Sequence, residues 1–390
     1  MNTLQRSWLA GLIFFSLQIC FANTNPGPAV KLERVPEGGL QPQALVDAGG
    51  TLHLVYLKGD PKACDVIYRR RLAGQASFSA PLHVNSKPGS AIAIGTVRGA
   101  QLALGREGFV HVVWNGSDLA STNTSGASPM LYSRLAPGAD AFEHQRDLMT
   151  STTHLDGGGS VAADARGNVY VVWHGHKTAG PQEEIDRGVF VAFSNDDGRT
   201  FSPERQVNPH DTGVCGCCGL KASAENGGTL AILYRSANLA GNRDTVLLLS
   251  TNYGSSFVAK VLGEWHVSTC PMSTHELGEG PGGLTGMWEK DGQVYLASIL
   301  SGQLDLATAV AARGSTGNRK HPTFAAGTSK RSPMLIAWTE GTGWEKGGAL
   351  AWETFDSRGA QMASGSIEGV PVWSFAAAAV QKDGSFVVFY

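Results

Sequence analysis

Three of the chain's six cysteines fall within four positions, in the stretch DTGVCGCCGLKA at 211–222. A loop carrying Cys215, Cys217 and Cys218 can turn two or three sulfurs to one side. Cys270 follows in WHVSTCPMSTHELGEG (265–280), beside Met272 and His275. Thiolates, a thioether and an imidazole together suit Cu(I), or Zn(II) if only Cys and His engage. The same cysteines can instead oxidise. A bridge from Cys270 to Cys215, Cys217 or Cys218 has ordinary geometry, whereas a vicinal Cys217–Cys218 bridge is strained and easily reduced. A second set of residues suits acid–base chemistry: His154 and Asp156 in TTHLDGGGS (152–160), His174 in WHGH, and Arg235 in YRSANLAGNRD. The three glycines beside them either let a ligand approach closely or serve a crowded backbone. Metal binding, stapling and catalysis all stay open at this level.

The first residues bear on the cysteines' fate. MNTLQRSWLAGLIFFSLQICFANT has a basic start at Arg6, an apolar run from Trp8 to about Phe21, and a small residue, Ala22, where a signal peptidase would cut. Residues 1–22 are expected to be an export signal and 23–390 a single mature domain, secreted or periplasmic, with no membrane segment left after processing. Five cysteines then remain: Cys64, Cys215, Cys217, Cys218 and Cys270. Export allows disulfides, but an odd number leaves at least one thiol for another use. A net charge of −2 argues against nucleic acid or an anionic membrane surface as a partner. A monomer is expected, with a metal ion or a glycan as the partner.

A repeat positions these residues. A Gly-containing turn followed by an alternating β-branched and aromatic run appears at 48–60, 106–117, 165–176, 225–236, 290–301, 332–341 and 382–390. Alternation over five or six residues between turn formers reads as a strand. Further strands flank most copies, as in SVAADARG before and GVFVAFSNDDG after NVYVVWHG. Four antiparallel strands per unit, repeated without helical periodicity, predict an all-β propeller. Seven copies favour seven blades, the last closed by a strand near 29–35, with six as the alternative.

The segment SNDDGRTF (194–201) matches the Asp-box pattern at Ser194, Asp196, Gly198, Thr200 and Phe201, and STNYGSSF (250–257) is a copy with Asn252 in place of Asp. The chain thereby resembles the sialidase and BNR-repeat β-propellers along nearly all its mature length. More narrowly, it is similar to exported bacterial sialidase-like proteins with a C-x-C-C stretch and a W-x-x-x-x-C-P stretch. That likeness implies a fold and not a reaction. It also implies that Asp boxes lie on one face, and that loops leading into each blade lie on the other, at the channel mouth. On this mapping CGCC leads into the fourth blade, STCPMSTHELGEG into the fifth and TTHLDGGGS into the third. Cys215, Cys217, Cys218, Cys270, Met272, His275, His154, Asp156, His174 and Arg235 then share a face, joined by His321 and Trp373. Sialidase chemistry would need an arginine triad and an activated tyrosine. The family's early F/Y-R-I-P segment is absent, and Arg98, Arg235 and Arg243 do not assemble a triad on paper.

The leading expectation is a soft-metal binder, copper first. A glycoside hydrolase or polysaccharide lyase with disulfide-braced loops is the alternative, and a non-catalytic binding scaffold the third.

Overall fold

Seven β-sheets radiate from one axis in a computed structural model of the chain, which describes residues 27–120, 128–238, 241–299, 310–313, 317–327, 329 and 331–390, with backbone alone at 310 and 311. The proposed export signal lies outside the described residues. From the axis outward, blade 1 comprises Leu40–Val46, Leu52–Asp60, Ala63–Arg71 and Leu82–His83. Blade 2 comprises Gln101–Leu104, Val110–Asn115, Met130–Leu135 and Arg146–Asp147. Blade 3 comprises Ser160–Ala163, Val169–Lys177, Gly188–Ser194 and Arg205–Gln206, and blade 4 Lys221–Ala224, Leu230–Ala237, Thr245–Ser250 and Val258–Gly263. Blade 5 comprises Glu276–Gly280, Gly283–Lys290, Gln293–Ile299 and Val310–Ala311, and blade 6 Arg319–Ala326, Met334–Glu340, Gly348–Phe355 and Gln361–Val370. Blade 7 pairs Ala377–Val380 with Phe386–Phe389, and the early strand Val30–Glu33 closes it, running parallel to Phe386–Phe389. The closure falls where the sequence places it, although the last blade shows three strands and a parallel edge.

The first strands pack side by side in a closed ring, from blade 1 round to blade 7 and back. Seven strands converging on one axis bring Ala44, Ala103, Ala162, Ala222, Gly278, Ala325 and Ala378 to the wall of a central channel of about 410 Å³, beside longer polar groups such as Gln101, Lys221 and Glu276. Farther out, Trp114, Trp173, Trp288 and Trp338 are buried in second strands. Each such burial contributes roughly 1.5–3 kcal/mol.

One repeat copy is misplaced by sequence. The run at 290–301 supplies the third strand of blade 5, and the second strand is Gly283–Lys290. The turn Lys290-Asp291-Gly292 resembles the turns that precede second strands elsewhere, with Asp291 and Gly292 both at positive φ. Here it joins strands two and three instead.

The Asp box holds its hairpin as its pattern requires. Ser194 Oγ donates to Asp196 Oδ1 at 2.7 Å, Thr200 Oγ1 donates to Asp196 Oδ2 at 2.7 Å, and Gly198 N–H donates to Ser194 Oγ at 2.9 Å. Desolvation by burial raises the Asp196 carboxyl, but hydrogen bonds from Thr200 N–H, Thr200 Oγ1, Ser194 Oγ and Arg199 N–H together outweigh it and lower the group to about 2. The Asn252 copy keeps the scheme: Ser250 Oγ donates to Asn252 Oδ1 at 2.8 Å, and Gly254 N–H to Ser250 Oγ at 2.9 Å.

Candidate metal centre

Blades 3 and 4 begin alike. A two-residue strand, Thr152–Thr153 or Gly213–Val214, pairs with the far end of its blade's second strand. A loop then bulges outward before the chain rejoins the sheet at Ser160 or Lys221. The two bulges, 154–159 and 215–220, dock against each other at the channel mouth. Gly157 N–H donates to Gly216 O at 2.7 Å, and Leu220 N–H to Gly158 O at 3.4 Å. Gly157 permits this approach, while Gly158 and Gly159 fit against Val97 and Met130 instead. An ideal Cβ at Gly157 would stand 2.3 Å from Cys218 O, one at Gly158 2.2 Å from Val97 O, and one at Gly159 2.2 Å from Met130 Cε.

The cysteine bulge is fixed on three sides. Cys215 N–H donates to Arg235 O at 2.9 Å, and Gly219 N–H to Ser273 O in the loop leading into blade 5 at 3.0 Å. From blade 3, His174 donates Nε2–H to Cys218 O at 3.2 Å. Held this way, the three side chains point at one another. Cys215 Sγ lies 3.3 Å from Cys217 Sγ and 3.6 Å from Cys218 Sγ. All three sulfurs lie within 4.8 Å of one another, and no fourth His, Cys, Asp or Glu among the described residues joins that group. Cys215 and Cys218 are buried, while Cys217 keeps partial access to solvent.

Guanidinium groups stand beside the sulfurs. Arg187 lies against the loop, with its Nε 3.0 Å from where a Gly216 Cβ would be, and it acts electrostatically on Cys215 and Cys217. Arg235 is fully buried; it donates Nη1–H to Arg243 O at 2.8 Å and Nη2–H to Glu289 O at 2.7 Å. Burial opposes ionisation of Cys218. Hydrogen bonds from Cys215 and Cys217, the Arg235 charge and the Ser273 N–H overcome it and draw that thiol well below its usual range. Cys217, bonded to Cys215 and Cys218 and itself largely buried, is pushed up. These opposite directions favour Cys218 over Cys217 as the sulfur that ionises.

Three imidazoles surround the loop. Burial lowers His174 to about 3, His275 to about 4 and His321 to about 3, so all are neutral near pH 7. His174 is saturated, because Arg187 Nη1 donates to its Nδ1 at 3.4 Å while its Nε2–H serves Cys218 O. His275 donates Nδ1–H to Gly219 O at 2.7 Å, which leaves a buried Nε2 lone pair with no partner. His321 Nδ1 sits 3.3 Å from Thr274 Oγ1.

The sequence-predicted residues thus divide. Cys215, Cys217 and Cys218 converge. Cys270 does not join them: it is exposed, and the neighbouring Pro271 carbonyl is held by Lys320 Nζ at 2.6 Å. No disulfide forms among the described cysteines, so the expected bridge from Cys270 to Cys215, Cys217 or Cys218 is not made. Met272 is half-buried and His275 buried, on the loop that touches Cys218 through Ser273. Asp156 remains 46% exposed at its side chain and pairs with Arg98 at 2.5 Å. His154 is exposed, whereas His174 and Arg235 are buried. Arg98, Arg235 and Arg243 do not form an arginine clamp: Arg98 pairs with Asp156, Arg243 with Glu184 at 2.6 Å, and Arg235 with backbone carbonyls and the Glu289 carboxylate at 4.0 Å. Arg187 and Ser273 escaped the sequence reading. The only signal for Arg187 was a cation just before a third strand, in DRGVFVAF.

The architecture has counterparts among solved structures. The Hadza microbial sialidase Hz136 superposes with a TM-score of 0.53 at 12% identity, over 85% of this chain and 74% of that one. The fold is that of the sialidase-like propellers. A protein of unknown function from Dyadobacter fermentans DSM 18053 gives a TM-score of 0.51 at 13% identity, over 88% of this chain and 98% of that one. No protein-family model matches the chain, and no curated protein matches it. Sialidase-like geometry therefore extends to this chain as a scaffold. Among its described residues no helix is long and apolar enough to cross a membrane.

Proposed function

We propose that this sialidase-like propeller binds a soft metal ion, copper(I) first and zinc(II) second, through Cys215, Cys217 and Cys218 at the channel mouth. The observation that carries the reading is the convergence of three sulfurs within 4.8 Å on a mostly buried loop. Three sulfurs each about 2.3 Å from one ion, at tetrahedral angles, lie about 3.8 Å apart. Starting from 3.3 and 3.6 Å, the two Cys215 contacts need to open by a few tenths of an ångström, and Cys217 and Cys218 already lie within 4.8 Å of each other. Thiolates favour soft ions, and a three-donor set suits Cu(I), whereas structural zinc takes four ligands. Arg187 and Arg235 supply positive charge against the thiolates, which lowers the cost of placing them out of water.

The test is to purify the mature protein without chelator and to measure bound metal and free thiols together. Near-stoichiometric copper that disappears in Cys217→Ser supports the reading. Metal-free protein that also fails to take up Cu(I) under reducing conditions overturns it. A glycan-directed activity on the same face is a second reading, favoured by the open Asp156 carboxylate beside exposed His154. It requires turnover on a glycan panel that Asp156→Ala abolishes.

A further inference from the structure

The buried sulfurs raise a question of access. Cys215 and Cys218 are 1% and 2% exposed, so an ion carried by a chelator or a protein cannot meet all three donors at once. The loop leading into blade 5 carries three further donors of graded exposure. Cys270 presents a thiol to solvent, Met272 a half-buried thioether, and His275 a buried imidazole whose Nε2 has no partner. These donors belong to one short segment that touches the cluster. Ser273 O accepts from Gly219 N–H at 3.0 Å, and the Ser273 N–H acts on Cys218. Cys270 lies three residues before Ser273, at most about 11 Å of chain. His275 interacts electrostatically with Cys218, and its Nδ1–H is held by Gly219 O, which fixes the tautomer and leaves the Nε2 lone pair unpartnered.

From this gradient, and resting on the metal reading above, we infer that the segment 270–275 is the acquisition route of the site: Cys270 and Met272 take Cu(I) from a thiol- or thioether-bearing donor and pass it inward past His275 to Cys218. Each step is a ligand exchange. Copper stays monovalent, the donor's ligand leaves as the incoming sulfur binds, and a cysteine that binds as thiolate gives its proton to solvent. The partner class is a Cu(I) carrier with an exposed soft-donor site, able to share the ion with Cys270 while still holding it.

Anaerobic stopped-flow transfer from a Cu(I)–glutathione complex tests this in the reduced mature protein, alongside the equilibrium stoichiometry from competition with a Cu(I) chelator. Cys270→Ser and Met272→Leu should leave the stoichiometry and affinity unchanged and slow uptake at least about tenfold, with the double variant slower still. Unchanged rates with intact stoichiometry would overturn the route and spare the site. Loss of equilibrium binding in Cys270→Ser would make Cys270 a ligand of the resting centre, which also overturns the route. Absence of Cu(I) binding in the unmodified protein would remove the site itself. Because Cys270 is exposed, its substitution leaves the fold intact, and circular dichroism checks this.

Discussion

The bulge of blade 3 and the bulge of blade 4 occupy equivalent places in the propeller and are built for opposite ends. The blade 3 loop carries polar groups outward: His154 is exposed, and Asp156 shares its charge with Arg98 in view of solvent. Its glycines are small because a neighbour lies against each of them. The blade 4 loop turns its chemistry inward, with three sulfurs in mutual contact and guanidinium groups behind them. The first loop is the seat and the second is what sits in it. The contrast teaches that the same position in two neighbouring blades can present polar groups to solvent in one and gather sulfurs inward in the other, with Gly157 making the close contact between them.

The largest difference should appear in metal binding. Cys218→Ser is expected to lose copper stoichiometry altogether, while Asp156→Ala keeps it, as read by elemental analysis of the anaerobically loaded proteins. Retention in the first, or loss in the second, would reverse the assignment of roles. Next comes the seat itself. Gly157→Ala puts a methyl group where Cys218 O stands 2.3 Å away, and should cost roughly 1–3 kcal/mol by denaturant unfolding while also weakening metal binding. A fully stable Gly157→Ala would mean that the two bulges are not docked as described.

Acid should loosen the cysteine side. His174, His275 and His321 have folded values near 3 to 4, below the 6.5 of the unfolded chain. The unfolded state therefore binds more protons between those limits. Their contribution is complete above pH 6.5 and is lost as pH falls toward 4, by about 1.4 kcal/mol per histidine per pH unit at most. Thermal unfolding followed from pH 7 to 5 should show a falling midpoint, and His321→Gln should flatten the slope. A midpoint that is flat or rises on acidification would contradict neutral, buried imidazoles.

A smaller effect is expected at Arg187. Arg187→Gln removes one guanidinium from beside Cys215 and Cys217, and should weaken Cu(I) binding about tenfold and slow alkylation of the cluster's thiols. Unchanged values would show that Arg187 only braces the loop. The smallest effect belongs to the opposite face. Asn252 already fills the Asp-box role in blade 4 with one hydrogen bond reversed, its Nδ2–H donating to Ser256 Oγ, so Asp196→Asn should cost no more than about 1 kcal/mol.

Much of the scaffold was legible because propeller strands follow a local rule: alternation between turn formers marks a strand wherever it falls. The seven-fold count, the early closing strand and the blade assignments of the cysteine, histidine and glycine loops all follow from that rule. It failed at 290–301, where the turn at Asp291 and Gly292 resembles the others while joining a different strand pair. Trp288, aligned with Trp114, Trp173 and Trp338, marks the true second strand of blade 5. The site was legible only as a neighbourhood. Spacing says that Cys215, Cys217 and Cys218 can converge, but it cannot say that Cys270 faces solvent, because that depends on Lys320 reaching the Pro271 carbonyl from another blade. Burial of Arg235 and the approach of Arg187 to Gly216 are likewise set by contacts between blades, which no single repeat encodes.

The most direct measurement is an anaerobic Cu(I) titration of the reduced mature protein, followed by thiolate-to-copper charge-transfer absorption, beside Cys217→Ser. A trithiolate centre gives a break at one equivalent that vanishes in the variant. A featureless titration, or a break that survives in Cys217→Ser, would contradict the assignment of Cys215, Cys217 and Cys218 as a metal site.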